Sequence, residues 1–278
     1  MTITNSKING YFILSKNNPE LVRKQLNSLD FIRYDKLPIG GVKFNWISRS
    51  NDIDWKTFDC NFQIINHIYN EKQLSNKGLL LMNLKNLDIK SRNFIPETYL
   101  LDNTNDRMTF KRRFQSNSTW ICKPVGLSCG REIFIFRNQE QLEQLLNEYH
   151  RNNQYCTLYY NRLVQKYIEN PLLINKHKFD IRTYLLCICT SKDILCFACQ
   201  IGYLRLSMYE FDLENLDNKF IHLTNQSIQI KDKDFLSMKN QTGMTMEEFN
   251  DYFNEFIQPN INGIDKDWVK NQLPVRRY

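Results

Sequence analysis

Hydrophobic spacing divides the chain into helical and extended stretches that alternate along its length. Residues 19–29, PELVRKQLNSL, place apolar positions at helical spacing behind a proline suited to a first turn. The same spacing predicts helices over FQIINHIYN (62–70) and GLLLMNLKNL (78–87), with Ser75, Asn76 and Gly78 supplying turn chemistry between them. In SRNFIPETYLL (91–101) Pro96 disfavours helix at Ile95, so this stretch marks a boundary leading into a strand. DRMTFKRRFQ (106–115) reads as a short basic helix. QEQLEQLLNEYH (139–150) reads as an amphipathic one, with Leu142, Leu145, Leu146 and Tyr149 on one face.

Extended runs surround these helices. WICKP (120–124), REIFIFR (131–137) and RLVQKYI (162–168) read as strands, the last closed by Asn170-Pro171. FDIRTYLLCICT (179–190), DILCFACQIG (193–202) and YLRLSMY (203–209) are three strand-like runs with short breaks, which predict an antiparallel sheet. TMEEFNDYFNEFI (245–257) is helical, with Thr245 as cap and Glu248 three residues on. Trp268 and LPVRRY read as the start of a further helix. The order predicts an α/β chain in three parts: a small N-terminal α/β domain over 1–92, a central unit over 93–172 and a C-terminal unit over 173–278.

Composition narrows the class. The 278 residues are 42% hydrophobic and 13% aromatic, which excludes a disordered chain. Basic residues outnumber acidic ones 37 to 30, a net charge of +7. That excess favours an acidic partner without choosing among ATP, an acidic peptide, nucleic acid or a membrane surface. No window approaches 18 uninterrupted apolar residues, and MTITNSKING lacks the apolar core of a signal peptide, so a cytosolic protein is expected. A disulfide framework is not expected in that setting, although the chain has eight cysteines. Cys187, Cys189, Cys196 and Cys199 fit small core residues on adjacent antiparallel strands better than a zinc knuckle, whose usual spacing is wider.

Four segments carry candidate chemistry. Lys123 ends an apolar strand and precedes a loop with Gly126 and Gly130, a pattern suited to phosphate and equally to a hairpin with a surface lysine. Gln165, Lys166, Tyr167 and Ile168 can line a purine slot, or form a plain buried edge strand. In KFDIR, Lys178, Asp180 and Arg182 share one strand face while Phe179 and Ile181 take the other. That row suits phosphate or carboxylate recognition, with Arg205 joining from a neighbouring strand, or a cross-strand salt-bridge row. In HLTN (222–225), Thr224 and Asn225 can bind phosphate, and equally cap a helix. The other histidines, His67, His150 and His177, fit no Ser-His-Asp or Cys-His arrangement, and no Walker A, HExxH or GxSxG motif is present.

Taken in order, WICKPVGLSCGREIFIF, VQKYIENPLL, HKFDIRTYLL and HLTNQSIQ resemble the tubulin tyrosine ligase-like family, from roughly Gln63 onward. WICKP, GYLRLSMYE and DKDWVKNQLPVR look most like its glycine-adding, polyglycylase branch. The resemblance implies an ATP-grasp fold in which the central and C-terminal units hold ATP. It implies a ligase that phosphorylates a glutamate side chain on an acidic tubulin tail and joins the amine of free glycine to it, with glutamate as the alternative donor. A catalytically dead relative that binds acidic tails is the other alternative.

By the same resemblance, Lys123 contacts nucleotide phosphates and Arg131 sits in the phosphate loop. Gln165, Lys166, Tyr167 and Ile168 form the adenine hinge, and Lys178 and Asp180 reach adenosine and ribose. Arg182 is the central catalytic arginine, Arg205 binds a carboxylate, and Thr224 and Asn225 lie near the β and γ phosphates. Two departures stand out. Glu132 follows Gly130-Arg131 where the family often has a second glycine. The family's last strand pair, which carries the carboxylate and asparagine ligands of magnesium, has no counterpart before Tyr278, so the C-terminal unit is expected to be incomplete and no metal ligand is assigned. The implied partners are tubulin tails or microtubules rather than nucleic acid or membrane. The implied setting is the cytoskeleton, with cilium or axoneme, and the implied state is a monomer.

Overall fold

The computed structural model describes residues 9–14, 19–38, 41–87, 94–152, 162–199 and 201–272; within the helix that begins at Gln139, side chains are described for 139–144 and 147. The chain divides into two compact units, residues 1–71 with 186–197, and residues 72–185 with 198–278.

The first unit is built on a parallel sheet. Strands β1 (Gly10–Leu14), β2 (Ile32–Tyr34), β3 (Phe44–Ile47) and β4 (Ile64–Ile65) lie in the order β2-β1-β3-β4. Helix α1 (Glu20–Ser28) crosses from β1 to β2, as the spacing of 19–29 predicts, and Tyr11 Oη donates to Asn27 Oδ1 at 2.7 Å to tie strand to helix. The helix expected over 62–70 does not form. Ile64 pairs instead with Phe44 on the edge of β3. Asn66 then acts as an extra strand residue: its amide accepts from Ile47 N at 2.8 Å and donates to Ile47 O at 3.0 Å. These bonds satisfy the β3 edge, and a weak local preference yields to that tertiary pairing.

In the second unit, helices α2 (Lys72–Ser75) and α3 (Lys77–Asn86) follow the predicted turn, and Asn76 caps α3 through its side chain. Four strands, β5 (Thr98–Leu100), β6 (Trp120–Pro124), β7 (Phe134–Phe136) and β8 (Arg162–Lys166), form an antiparallel sheet in the order β5-β8-β6-β7. Helix α4 (Thr104–Arg113) overlaps the short basic helix expected over 106–115, and helix α5 (Gln139–Asn152) contains the amphipathic one expected over 139–150. Leu142 of α5 is buried as expected; the side chains of Leu145, Leu146 and Tyr149 lie outside the described residues.

Alternation along β6 explains the layering. Trp120 and Cys122 enter a core with Tyr99, Leu101, Phe110, Phe136 and Val164, while Ile121 points to the opposite face, into a core with Tyr167, Leu223 and Ile228. Lys123, two residues beyond Ile121, therefore emerges on that second face. The REIFIFR strand is shorter than its sequence suggests, because Arg131 and Glu132 belong to a turn in which Glu132 has φ +55°.

The second sheet of this unit has the order β14-β13-β10-β9, from β9 (Leu173–Ile174), β10 (His177–Arg182), β13 (Tyr203–Glu210) and β14 (Gly243–Thr245), all antiparallel. Between β10 and β13 the chain makes a separate two-stranded ribbon, β11 (Leu185–Cys189) with β12 (Ile194–Ala198). The three-run meander expected from sequence is thus corrected. The first run splits at Thr183-Tyr184, and its two halves join different sheets. Gly202 makes this possible: a Cβ there would lie 2.8 Å from Arg182 O, so only glycine lets β13 start beside the end of β10.

The expectation of core cysteines fails with the meander. Cys189, Cys196 and Cys199 are exposed and Cys187 is half-buried, because among the described residues the ribbon strands pair with each other and join neither larger sheet. Among the described residues no group of three or more His, Cys, Asp or Glu is arranged to hold a metal ion.

Helices α6 (Lys219–His222), α7 (Gln226–Gln229) and α8 (Phe235–Met238) follow β13. Helix α9 (Met246–Tyr252) opens with the expected Thr245–Glu248 capping box and runs on through a π-helical turn, Phe253–Ile257. With α10 (Trp268–Gln272) these segments cover the second sheet, burying Phe249, Phe253, Ile257 and Val269 against Ile174, Leu204 and Leu206. Phe179 and Ile181 pack against the same core, which leaves Lys178, Asp180 and Arg182 on the other face. Residues 273–278, the LPVRRY stretch, lie outside the described residues. Among the described residues no helix is long and apolar enough to cross a membrane.

Candidate functional site

The charged faces of the two sheets of the second unit converge on one polar cluster. Lys123 Nζ, at the end of β6, donates to Gln165 Oε1 on β8 at 2.7 Å. The Gln165 amide donates in turn to Thr98 Oγ1 at 2.9 Å, and Thr98 to Pro96 O at 2.6 Å. This relay fixes the glutamine so that its oxygen faces the lysine. Lys123 is held below the ordinary lysine pKa by burial and by the neighbouring charge of Lys77.

Lys178 stands on β10, opposite a bulge in β13, where its backbone N–H donates to Ser207 Oγ at 3.0 Å. Its Nζ donates to Tyr167 Oη at 2.8 Å and lies 4.4 Å from the centre of the Tyr167 ring. Burial and the charge of Lys123 push its pKa down to about 8, with Asp180 opposing the fall. Beyond it the network continues inward. Tyr167 Oη is 2.9 Å from His222 Nδ1, and His222 Nε2 is 3.0 Å from Asn215 O. A carbonyl oxygen only accepts, so Nε2 carries the ring proton and Nδ1 accepts from the tyrosine hydroxyl. The tyrosine oxygen is then free to accept from Lys178. Burial lowers the His222 pKa and raises that of Tyr167, so both stay neutral and the lysine is the charge in this chain.

Asp180 and Arg205 are direct cross-strand partners. The guanidinium grips the carboxylate with Nε at 2.8 Å and Nη2 at 2.6 Å, and Thr224 Oγ1 donates to the same carboxylate at 2.5 Å. Thr224 is thus drawn to Asp180, while Asn225 occupies the cap position of α7 without a side-chain capping bond. The loop after β6 packs onto this turn. Gly130 has φ +69°, and a Cβ there would lie 2.8 Å from Ile228 Cγ1 and 3.2 Å from Asn225 Oδ1. Ser227 Oγ donates to Cys129 O at 3.2 Å. Gly130 is needed here both for its left-handed backbone and for this close approach.

The structure therefore brings together Lys123, Gln165, Tyr167, Lys178, Asp180, Arg205 and Thr224, with Asn225 at the loop contact. The hinge strand supplies less than its sequence suggests. Lys166 N and Tyr167 N already donate to Glu97 O at 2.8 Å and Thr119 O at 3.0 Å, and Lys166 Nζ lies over Trp120 at 5.3 Å. Ile168 is exposed just past the strand. Arg182 is exposed, with its guanidinium 5.1 Å from the Tyr184 ring centre rather than bonded to the cluster among the described residues. Arg131 donates to Ser128 O at 3.3 Å and lines a separate cleft of about 540 Å³ with Asn218, Lys219 and Lys231. Glu132, which stands where the family often has a second glycine, pairs with Arg162 at 2.9 Å.

Two residues tied into the cluster are not among the site residues expected from sequence. Lys77, at the start of α3, donates to Leu127 O at 2.6 Å and Pro124 O at 3.4 Å, so it braces the Lys123 loop, and burial lowers its pKa. It is 46 positions before Lys123, with only the Asn76-Lys77-Gly78 turn as a signal. His222 stood in a recognised segment, yet its link to Lys178 through Tyr167 depends on three elements meeting. Carboxylates are scarce in the cluster. Asp180 is the acidic member, and both its oxygens are occupied, so the described residues do not fit a magnesium site.

The sequence profile of the tubulin-tyrosine ligase family matches residues 56–268. Protein polyglycylase TTLL10 of Macaca fascicularis is 35% identical over 195 residues, covering 68% of this chain and 31% of that relative. The human relative, Inactive polyglycylase TTLL10, is 35% identical over 196 residues, 68% of this chain and 28% of its own length. Probable tubulin polyglutamylase TTLL2 of Homo sapiens is 29% identical over 244 residues, 84% of this chain and 39% of that protein. The chain spans about a third or less of the polyglycylase relatives it matches.

Proposed function

The chain belongs to the tubulin-tyrosine ligase family, and from that premise we propose that its lysine cluster binds the phosphates of ATP for the ligation of an amino acid to a glutamate side chain of an acidic tubulin tail. The observation that carries this reading is the run of half-buried lysines, in which burial and the charge of Lys77 lower the Lys123 pKa, and burial and the charge of Lys123 lower that of Lys178. Two desolvated cations facing each other are costly unless an anion comes between them, and a polyphosphate supplies that charge.

Each residue then has a defined task. Lys123 and Lys178 neutralise phosphate oxygens, and Lys77 holds the loop carbonyls so that Lys123 does not drift. The Asp180–Arg205–Thr224 bonds set the wall on which ribose and the nearer phosphates rest. Ile168 offers an apolar surface and a backbone N–H at the end of the hinge. The exposed Arg182 guanidinium is placed for a planar carboxylate or phosphate arriving from solvent. A glutamate carboxylate is a poor electrophile; phosphorylation gives it a leaving group, and the incoming amine then displaces phosphate to form the isopeptide bond. The protein's part is positioning and charge neutralisation. No step is assigned to magnesium, because the described residues do not fit it.

Glycine is the proposed donor, supported by the higher identity to relatives named polyglycylases than to TTLL2, named a probable polyglutamylase. A non-catalytic, tail-binding role is the second reading, favoured by the human relative's description as inactive. Incubating the protein with tubulin, ATP and radiolabelled glycine or glutamate separates them. Glycine incorporation lost in Lys178→Met supports the ligase. Glutamate incorporation replaces the donor. Tubulin binding and nucleotide binding with no incorporation of either leave the tail-binding reading, and failure to bind nucleotide overturns the site.

A further inference from the structure

The β11–β12 ribbon brings two cysteines together. Thr190 N–H donates to Asp193 O at 2.9 Å, and Cys199 N–H donates to Tyr184 O at 2.8 Å. Both bonds define one register, and in that register Cys187 faces Cys196 directly. Hydrogen-bonded and non-bonded pairs alternate along an antiparallel ladder. With Thr190–Asp193 and Tyr184–Cys199 bonded, Cys187–Cys196 falls on a non-bonded position, where the Cα atoms approach to about 4.5 Å and side chains are closest. The two Sγ atoms are 3.5 Å apart. A disulfide tolerates Cα separations of about 4.4–6.8 Å and needs sulfur atoms about 2.05 Å apart, so side-chain rotation can close the gap without moving the strands.

The surroundings agree with an accessible redox pair. Cys187 is half-buried and Cys196 exposed, so a small oxidant reaches both. The thiol contact with Cys196 raises the Cys187 pKa, which lowers its thiolate fraction, so attack on a peroxide quickens as pH rises. Cys189 shares the Cys187 face but stands opposite Ile194, and Cys199 stands opposite Tyr184. The geometry therefore singles out one pairing among these four cysteines.

We propose that Cys187 and Cys196 form a reversible redox modification site, closed to a cross-strand disulfide by a hydroperoxide. One sulfur attacks the peroxide O–O bond and becomes a sulfenic acid, releasing one water when the oxidant is hydrogen peroxide. The second thiol then attacks that sulfur: the S–S bond forms, the S–O bond breaks and a second water leaves. Two thiols lose two electrons, and the peroxide takes them. An exposed bond at such a close pair is readily reduced again by a dithiol.

Mild hydrogen peroxide treatment of the whole protein, blocking of residual thiols and tryptic mass spectrometry test this. Cleavage after Arg182, Lys192 and Arg205 puts Cys187 and Cys189 on residues 183–192, and Cys196 and Cys199 on residues 193–205. The expected product is these two peptides linked through Cys187 and Cys196, reverting with dithiothreitol, retained in Cys189→Ser and lost in Cys187→Ser. Linkage through Cys189 or Cys199, or sulfinic acid at both positions without linkage, overturns the proposal. Phenylarsine oxide, which bridges paired thiols, gives a second measurement on the unmutated protein: joint protection of Cys187 and Cys196 from maleimide is expected, and protection of neither overturns it.

Discussion

Lys178 carries the most exacting prediction, because its proton couples to nucleotide binding. Its pKa falls from 10.5 to about 8 in the free protein. At about 1.4 kcal/mol per pH unit, that fall corresponds to on the order of 3 kcal/mol of disfavoured charge. Between pH 8 and 10.5 the unfolded chain binds this proton and the folded chain does not, so the free protein gains stability as pH rises through that window. A bound triphosphate reverses the balance by favouring the charged lysine. At pH 8.5 the free side chain is about one-quarter protonated, and a phosphate-paired one is almost fully protonated, so binding takes up roughly three-quarters of a proton. Calorimetric titration with an ATP analogue at pH 8.5, in two buffers of different ionisation enthalpy, measures that uptake. Lys178→Met should abolish most of it, while Lys123→Met removes only the part that Lys123 contributes. Binding with no buffer dependence, or uptake unchanged in Lys178→Met, refutes the charge argument.

Other consequences are independent of that proton. Gly130→Ala forces a side chain onto a φ of +69° and against Ile228, so the loop should lose about 1–2 kcal/mol and nucleotide affinity should fall several-fold, read by fluorescent-nucleotide titration. Phe110 is fully buried among Tyr99, Trp120 and Phe136, and Phe110→Ala should cost about 3–5 kcal/mol in a urea unfolding midpoint with the slope unchanged. His222 is held neutral with a lowered pKa; the unfolded chain takes its proton first, so stability is lost as pH falls below about 6.5, and His222→Asn should flatten the melting temperature over that range. Thr245→Ala breaks the capping box and should cost about 1 kcal/mol in the same urea assay.

Local pattern carried much of this protein. The amphipathic helices, the β6 alternation, the Thr245 cap and the shared face of Lys178, Asp180 and Arg182 depend on neighbours within a few residues, where spacing alone decides. The family too is legible there, since its motifs are short and contiguous. Packing decided the rest. Within 62–70, Ile64–Ile65 became an edge strand instead of a helix, and Asn66 satisfies Ile47 through both its amide atoms, a partner 19 positions away. The meander split because β13 begins beside Arg182, which exposed the cysteines that hydropathy placed in a core. Within the site, sequence named the lysines and the arginine–aspartate pair, but not the Lys178–Tyr167–His222 chain or the brace from Lys77. Those contacts set charge states, and charge depends on burial and on groups that meet only when β8, β10, α3 and α6 fold together.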